Sequence, residues 1–120
     1  MNISVVVQTR DIPEQSDAKQ NRFVFAYTIA ITNNGDIPAQ LLSRYWLITD
    51  ANGKKVEVQG AGVVGEQPTI EPNETYTYTS GCILETEVGT MEGFYEFVSD
   101  SETAQVPISV FRLAVPNIVH

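Results

Sequence analysis

The chain has 120 residues, 42% apolar and 18% charged, which fits one globular domain over residues 1–120 that removes roughly two thirds of its unfolded surface from water. Seven Lys and Arg stand against fifteen Asp and Glu, and the resulting formal charge of −8 repels a polyphosphate backbone and argues against general nucleic-acid binding. Cys82 is the single cysteine, so no intrachain disulfide is possible; with neither a signal-peptide pattern nor a membrane-length apolar run, the expected location is the cytoplasm, without direct membrane insertion.

Period-two alternation dominates from the first residues onward. Ile3, Val5 and Val7 open a strand, and residues 11–21 follow as a polar connection with no apolar period, expected to be mobile. In residues 23–32 the odd positions Phe23, Phe25, Tyr27, Ile29 and Ile31 are large and apolar, so that side is expected to face the core. Asn33-Asn34-Gly35-Asp36 closes this strand. Residues 41–49 form the next, with Trp46 expected between two sheets, and Asp50-Ala51-Asn52-Gly53 leads to residues 54–59. Asn52-Gly53 is the clearest hairpin signal, because both residue types tolerate positive φ.

Gly60-Ala61-Gly62-Val63-Val64-Gly65 then spells a dinucleotide fingerprint, but Gln67-Pro68 follows at once, and Pro68 disfavours helical geometry at Gln67. Residues 69–79 are rich in Thr and Tyr and show no helical period. The glycines therefore read as a loop between strands, either an unusual phosphate cradle or a structural turn. Met91, Tyr95 and Phe97 define another inward face, and Ser99-Asp100-Ser101-Glu102 marks a turn. In the last strand Val106, Ile108 and Val110 make one apolar face and Phe111, Leu113 and Val115 the opposite one, which a bulge near Val110 reconciles. Seven or eight short strands of this spacing predict an all-β fold, a two-sheet antiparallel sandwich of immunoglobulin or fibronectin type III kind.

Catalytic residues are scarce. His120 is the only histidine and also the last residue, while Cys82 sits beside Ile83 and Leu84 as a small buried apolar residue does. One histidine and one cysteine cannot build a structural zinc site. A carboxylate cluster drawn from Glu85, Glu87, Glu92 and Glu96 is the metal alternative, although Glu92 and Glu96 also read as the wet face of a strand. At the glycine loop, Gly60, Gly62 and Gly65 remove the Cβ atoms that would keep an anion away. Arg44 and Arg112 are the arginines expected to be held rigidly enough to contact a phosphate, unless they pair with neighbouring carboxylates. Tyr45, Trp46, Tyr76 and Tyr78 are available either as core residues or as anchors for a protein partner, and exposed strand edges would support a homodimer.

Arg44-Tyr45-Trp46-Leu47-Ile48-Thr49, Val58-Gln59-Gly60-Ala61-Gly62-Val63-Val64-Gly65-Glu66-Gln67-Pro68, Tyr78-Thr79-Ser80-Gly81, Gly89-Thr90-Met91-Glu92-Gly93-Phe94-Tyr95, Phe111-Arg112-Leu113-Ala114-Val115-Pro116 and the terminal His120 together resemble the ApaG family. The resemblance spans nearly the whole chain from Val5. It implies a fibronectin type III-like sandwich, a cytoplasmic bacterial protein, and an association with cobalt and magnesium tolerance or efflux. It also implies genetic linkage to enzymes of diadenosine tetraphosphate hydrolysis. Similar domains occur in eukaryotic F-box and polymerase-interacting proteins, which implies protein binding without catalysis or a cofactor. A pyrophosphate-binding role attached to the family's glycine motif would fall on Gly60, Gly62 and Gly65. An acidic sandwich without a spanning helix cannot itself move an ion across a bilayer, so any effect on cobalt or magnesium is expected to pass through a partner.

Overall fold

A computed structural model describes residues 1–116 of the chain. Alternation of β-branched and aromatic residues with polar ones appears there as eight strands: β1 (Ile3–Asp11), β2 (Phe23–Asn33), β3 (Ala39–Asp50), β4 (Lys55–Ala61), β5 (Thr69–Ile70), β6 (Thr75–Leu84), β7 (Val88–Ser99) and β8 (Glu102–Ala114). All pairings are antiparallel. A smaller sheet runs β1-β2-β6, and a larger one runs β4-β3-β7-β8 with β5 added to the same edge of β3. The fold is an all-β sandwich of immunoglobulin and fibronectin type III kind, as the alternation predicts. Among the described residues no helix is long and apolar enough to cross a membrane.

The inner faces interlock through large side chains. Phe25, Ile29 and Ile31 of β2 are buried on the predicted odd side, and they meet Met91, Tyr95 and Phe97 of β7. Trp46 is 2% exposed and stands between the sheets, ringed edge-to-face by Tyr27 (centroids 5.6 Å apart), Phe111 (5.8 Å) and Tyr95 (6.2 Å). Such pairs contribute about 0.5–1.5 kcal/mol each beyond area burial, and the indole N–H is buried without a hydrogen-bond partner among the described residues. The Tyr78 and Tyr95 hydroxyls meet at 2.5 Å in the same interior and join β6 of one sheet to β7 of the other.

Two bulges shape the larger sheet. The β7–β8 register shifts between Met91 and Gly93, where Phe111 and Ile108 are the respective partners, leaving Ser109 and Val110 unpaired on β8. This is the break that the two apolar faces of β8 require: Ile108 and Leu113 are both buried while Val110 is exposed. The second bulge, between Leu41 and Ser43 of β3, switches the inward side from odd to even positions, from Leu41 to Trp46.

The Asn52-Gly53 hairpin joins β3 to β4 as the sequence predicts. At Asp50–Gly53 only Gly53 takes positive φ, because the Asp50 carboxylate accepts from the Asn52 and Lys54 N–H groups and holds Asn52 on the ordinary side. Residues 11–21 leave β1 at Asp11 as a polar connection. They form two single 3-10 turns, Pro13–Gln15 and Ala18–Gln20, and the Ser16 hydroxyl ties them to the sheet by donating to the Ile12 carbonyl and accepting from the Val24 N–H.

Candidate functional site: the glycine turn and the outer face of the larger sheet

The glycine segment sits where β4 and β5 occupy the same edge of β3 in succession. β4 pairs with residues 43–49 and β5 with Ala39 and Gln40, so the intervening chain must leave the ladder opposite the β3 bulge. It does so as a miniature hairpin. Val63 and Glu66 exchange both backbone hydrogen bonds, at 2.8 and 2.9 Å, and the tip residues Val64 and Gly65 both have positive φ, 43° and 83°. Val63 is fully buried beneath the turn, whereas Val64 is 55% exposed at its tip. The Leu42 carbonyl at the bulge accepts from the Gly62 N–H and from the Gln67 amide, and the Tyr76 hydroxyl donates to Glu66, so the hairpin is clamped at its base.

Each glycine of the motif has a local reason. Gly62 has φ +63°, and a Cβ there would lie 2.0 Å from the Glu66 carbonyl oxygen; Gly65 needs positive φ at the tip. Gly60 faces Arg44 across the β3–β4 ladder, and a Cβ would come within 2.7 Å of the guanidinium, so the missing side chain is what lets Arg44 lie flat over the edge strand. No helix follows Gly65. The chain proceeds to β5 and then β6.

The donors of the turn are largely committed. The N–H groups of Gly62, Val63 and Glu66 all reach backbone carbonyls, and Arg44 Nη1 donates to the carbonyls of Ala61 and Gly62 at 3.2 and 3.0 Å. Carbonyl oxygens, not N–H groups, therefore face the guanidinium. Arg112 is elsewhere: it is exposed on β8 opposite Thr90, which pairs with Thr49, five residues along β3 from Arg44. The structure brings Arg44 to Gly60 and Gly62 and does not bring Arg112.

The outer face of the larger sheet begins beside Gly60. Ser43, Arg44, Tyr45, Gln59, Gly60, Phe94 and Glu96 line an open hollow of about 410 Å³. Its main feature is a stacked pair, Tyr45 on β3 and Phe94 on β7, with ring centroids 5.1 Å apart and planes 23° from parallel. Both rings are half-buried and face away from the core. The Tyr45 hydroxyl donates to Glu57 at 2.9 Å, a bond to a carboxylate that holds the phenol above its ordinary pKa, and the Ser43 hydroxyl donates to Glu96. The sequence offered Tyr45 as an anchor; Phe94, hidden between Glu92 and Glu96 on the wet face of β7, was missed, although its even position was the available signal.

The remaining candidates do not converge. Glu85 pairs with Lys54, and Glu92 and Glu96 flank Phe94; among the described residues no three of His, Cys, Asp and Glu gather to hold a metal. Cys82 is buried in β6, and burial pushes its thiol up to about 11. His120 lies outside the described residues.

Comparison with known proteins adds a family. The model described as the ApaG domain matches residues 13–99. The chain is 56% identical over 119 residues to Protein ApaG of Pseudomonas aeruginosa strain PAO1, covering 98% of this chain and 94% of that one. It is 57% identical over 115 residues to Protein ApaG of Photobacterium profundum, covering 95% and 91%. The crystal structure of the putative ApaA protein from Bordetella pertussis superposes with a TM-score of 0.94 at 50% identity, over 98% of this chain and 96% of that one. A protein from Archaeoglobus fulgidus, 10% identical with a TM-score of 0.56 over 98% and 100% of the two chains, shares the fold alone.

Proposed function

Because the chain belongs to the ApaG family, we propose that it is a binding module without catalytic chemistry of its own, which engages a protein partner through the glycine turn and the adjoining outer face of the larger sheet. The observation that carries this reading is the outward-facing Tyr45–Phe94 stack beside the 410 Å³ hollow, because aromatic side chains held rigid on strands are the groups that concentrate binding energy at protein interfaces. Val64 adds an apolar tip on a clamped turn, so little conformational freedom is lost on contact. The family's association with cobalt and magnesium tolerance then rests with the partner, in the compartment where the bacterial relatives are expected to act, the cytoplasm.

A phosphate-bearing ligand at Gly60, Gly62 and Gly65 has weaker support, since a phosphate needs free N–H donors and three of those in the turn are already bonded to carbonyls. A role in binding also suits Cys82, whose burial raises the thiol pKa to about 11 and so disfavours the nucleophilic thiolate.

The test is affinity capture from a bacterial extract with the wild type, Tyr45→Ala and Val64→Asn. Asparagine accepts positive φ, so the Val64 variant keeps its turn. The wild type should recover a partner that both variants lose at unchanged melting temperature; recovery of the same proteins by all three rejects the assignment.

A further inference from the structure

The four strands that end the two sheets are guarded unequally. β8 carries Pro107 and the Ser109–Val110 bulge, β4 carries Lys55 and Glu57, and β1 ends in Arg10 and Asp11. These are the usual devices that keep an open ladder from recruiting another strand. β6 has none of them. Its sequence, Thr-Tyr-Thr-Tyr-Thr-Ser-Gly-Cys-Ile-Leu, holds no charge and no proline, and its register against β2 is unbroken from Thr75↔Thr32 to Leu84↔Phe23.

The direction of its backbone groups follows from the ladder. The Asn33 N–H donates to the Glu74 carbonyl, so odd positions of β2 turn their backbone toward β6; even positions turn away, as the bonds of the Val24 carbonyl to Ile12 and of the Asn34 N–H to Asn2 confirm. By antiparallel alternation, Tyr76, Tyr78, Ser80, Cys82 and Leu84 bond to β2, while Thr75, Thr77, Thr79, Gly81 and Ile83 aim their N–H and C=O groups at the open edge. All five are exposed, Ile83 at 56%, and β6 has no second strand neighbour among the described residues.

We propose that this edge receives β6 of a second copy of the chain, antiparallel about a two-fold axis at Thr79, fusing two three-stranded sheets into one of six strands. This register engages all five outward residues, pairing Thr75 with Ile83, Thr77 with Gly81 and Thr79 with its own counterpart. Charge selects the second copy. A strand from this acidic chain meets no carboxylate along the edge, and the two-fold sets the acidic end, with Glu74 and Glu66, against the end where Lys54 balances Glu85, whereas a parallel arrangement would oppose Glu74 to Glu74. Thr residues facing one another across strands are also favourable, as the Thr28–Thr79 and Thr32–Thr75 hydroxyl contacts on the neighbouring ladder show. The Tyr45–Phe94 stack that carries the proposed function lies on the other sheet, on a surface separate from the β6 edge.

Sedimentation equilibrium of the full chain from about 5 µM to about 1 mM should show the mass doubling with concentration. Amide exchange of the wild type over the same range should slow about tenfold or more at Thr75, Thr77, Thr79, Gly81 and Ile83, and not on β1, since exchange tracks the opening of each hydrogen bond. Thr79→Lys sets two ammonium groups at the axis and should weaken association about tenfold or more at unchanged melting temperature. A monomer throughout the range, a dimer whose five amides exchange as in the monomer, or association indifferent to Thr79→Lys overturns the proposal; if the variant folds poorly, wild-type exchange decides.

Discussion

Gly93→Ala is the substitution whose cost the structure fixes most directly. Gly93 lies on β7 opposite Trp46, and a Cβ built on it would stand 1.9 Å from the Tyr45 carbonyl oxygen and 2.9 Å from its carbon, both backbone atoms of a central strand. Carbon and oxygen do not approach below about 3 Å without steep repulsion, so β3 and β7 must part by roughly 1 Å at this point. Ladder bonds of about 2.9 Å then stretch past the limit of hydrogen bonding. Losing about two of them in the interior, at about 1–3 kcal/mol for each bond broken, gives a destabilisation of about 2–6 kcal/mol. That is a large share of the roughly 6–18 kcal/mol expected for a domain of this size. Urea unfolding followed by Trp46 fluorescence measures it, with a parallel fall in melting temperature of about 10–20 °C. Gly81→Ala is the control: its Cβ would meet only the Phe25 carbonyl at 3.5 Å, so its stability should stay within about 0.5 kcal/mol of the wild type. Equal stabilities for the two variants would refute the close approach of the strands.

Two further outcomes follow from the same geometry. Calorimetry of the wild type against pyrophosphate and ATP, with and without magnesium, should give no saturable heat at about 1 mM ligand, because the N–H groups of Gly62, Val63 and Glu66 are already bonded to carbonyls; a stoichiometric isotherm lost in Arg44→Gln would reverse that. Burial raises the Cys82 thiol from 9.0 to about 11, and it holds the Tyr78 and Tyr95 phenols above their ordinary range in the same direction. The unfolded chain therefore releases protons first as pH rises, so stability contributed by neutral Cys82 is intact below about 9 and lost between about 9 and about 11; denaturation midpoints should fall across that window, less steeply in Cys82→Ala, and equal slopes would exclude the thiol.

The sandwich was legible because burial on one face writes period two into each strand, and even the Val110 irregularity could be placed from the conflict between Ile108 and Leu113. The β3 bulge left no comparable trace. Leu41 and Leu42 are both apolar, so nothing in the sequence marks the residue at which inward parity changes, and the direction of Arg44 and Tyr45 depends on that residue. Arg44 and Arg112 look alike as arginines in strands, yet their distance from the glycines is set by pairings far apart in the chain. The adjacent Val63 and Val64 are likewise equivalent in composition, and only the φ values of the hairpin tip send one inward and the other into solvent.

The contact between the Tyr78 and Tyr95 hydroxyls has an evolutionary consequence. It is a polar bolt through an otherwise apolar, interlocked seam, and removing one phenolic oxygen leaves the other buried without its partner. Loss of both leaves a smooth hydrocarbon seam that is chemically content but no longer indexed. Relatives should therefore keep the two tyrosines or abandon them in company, and a lineage caught with one alone marks a transitional sequence under pressure to restore or discard its mate.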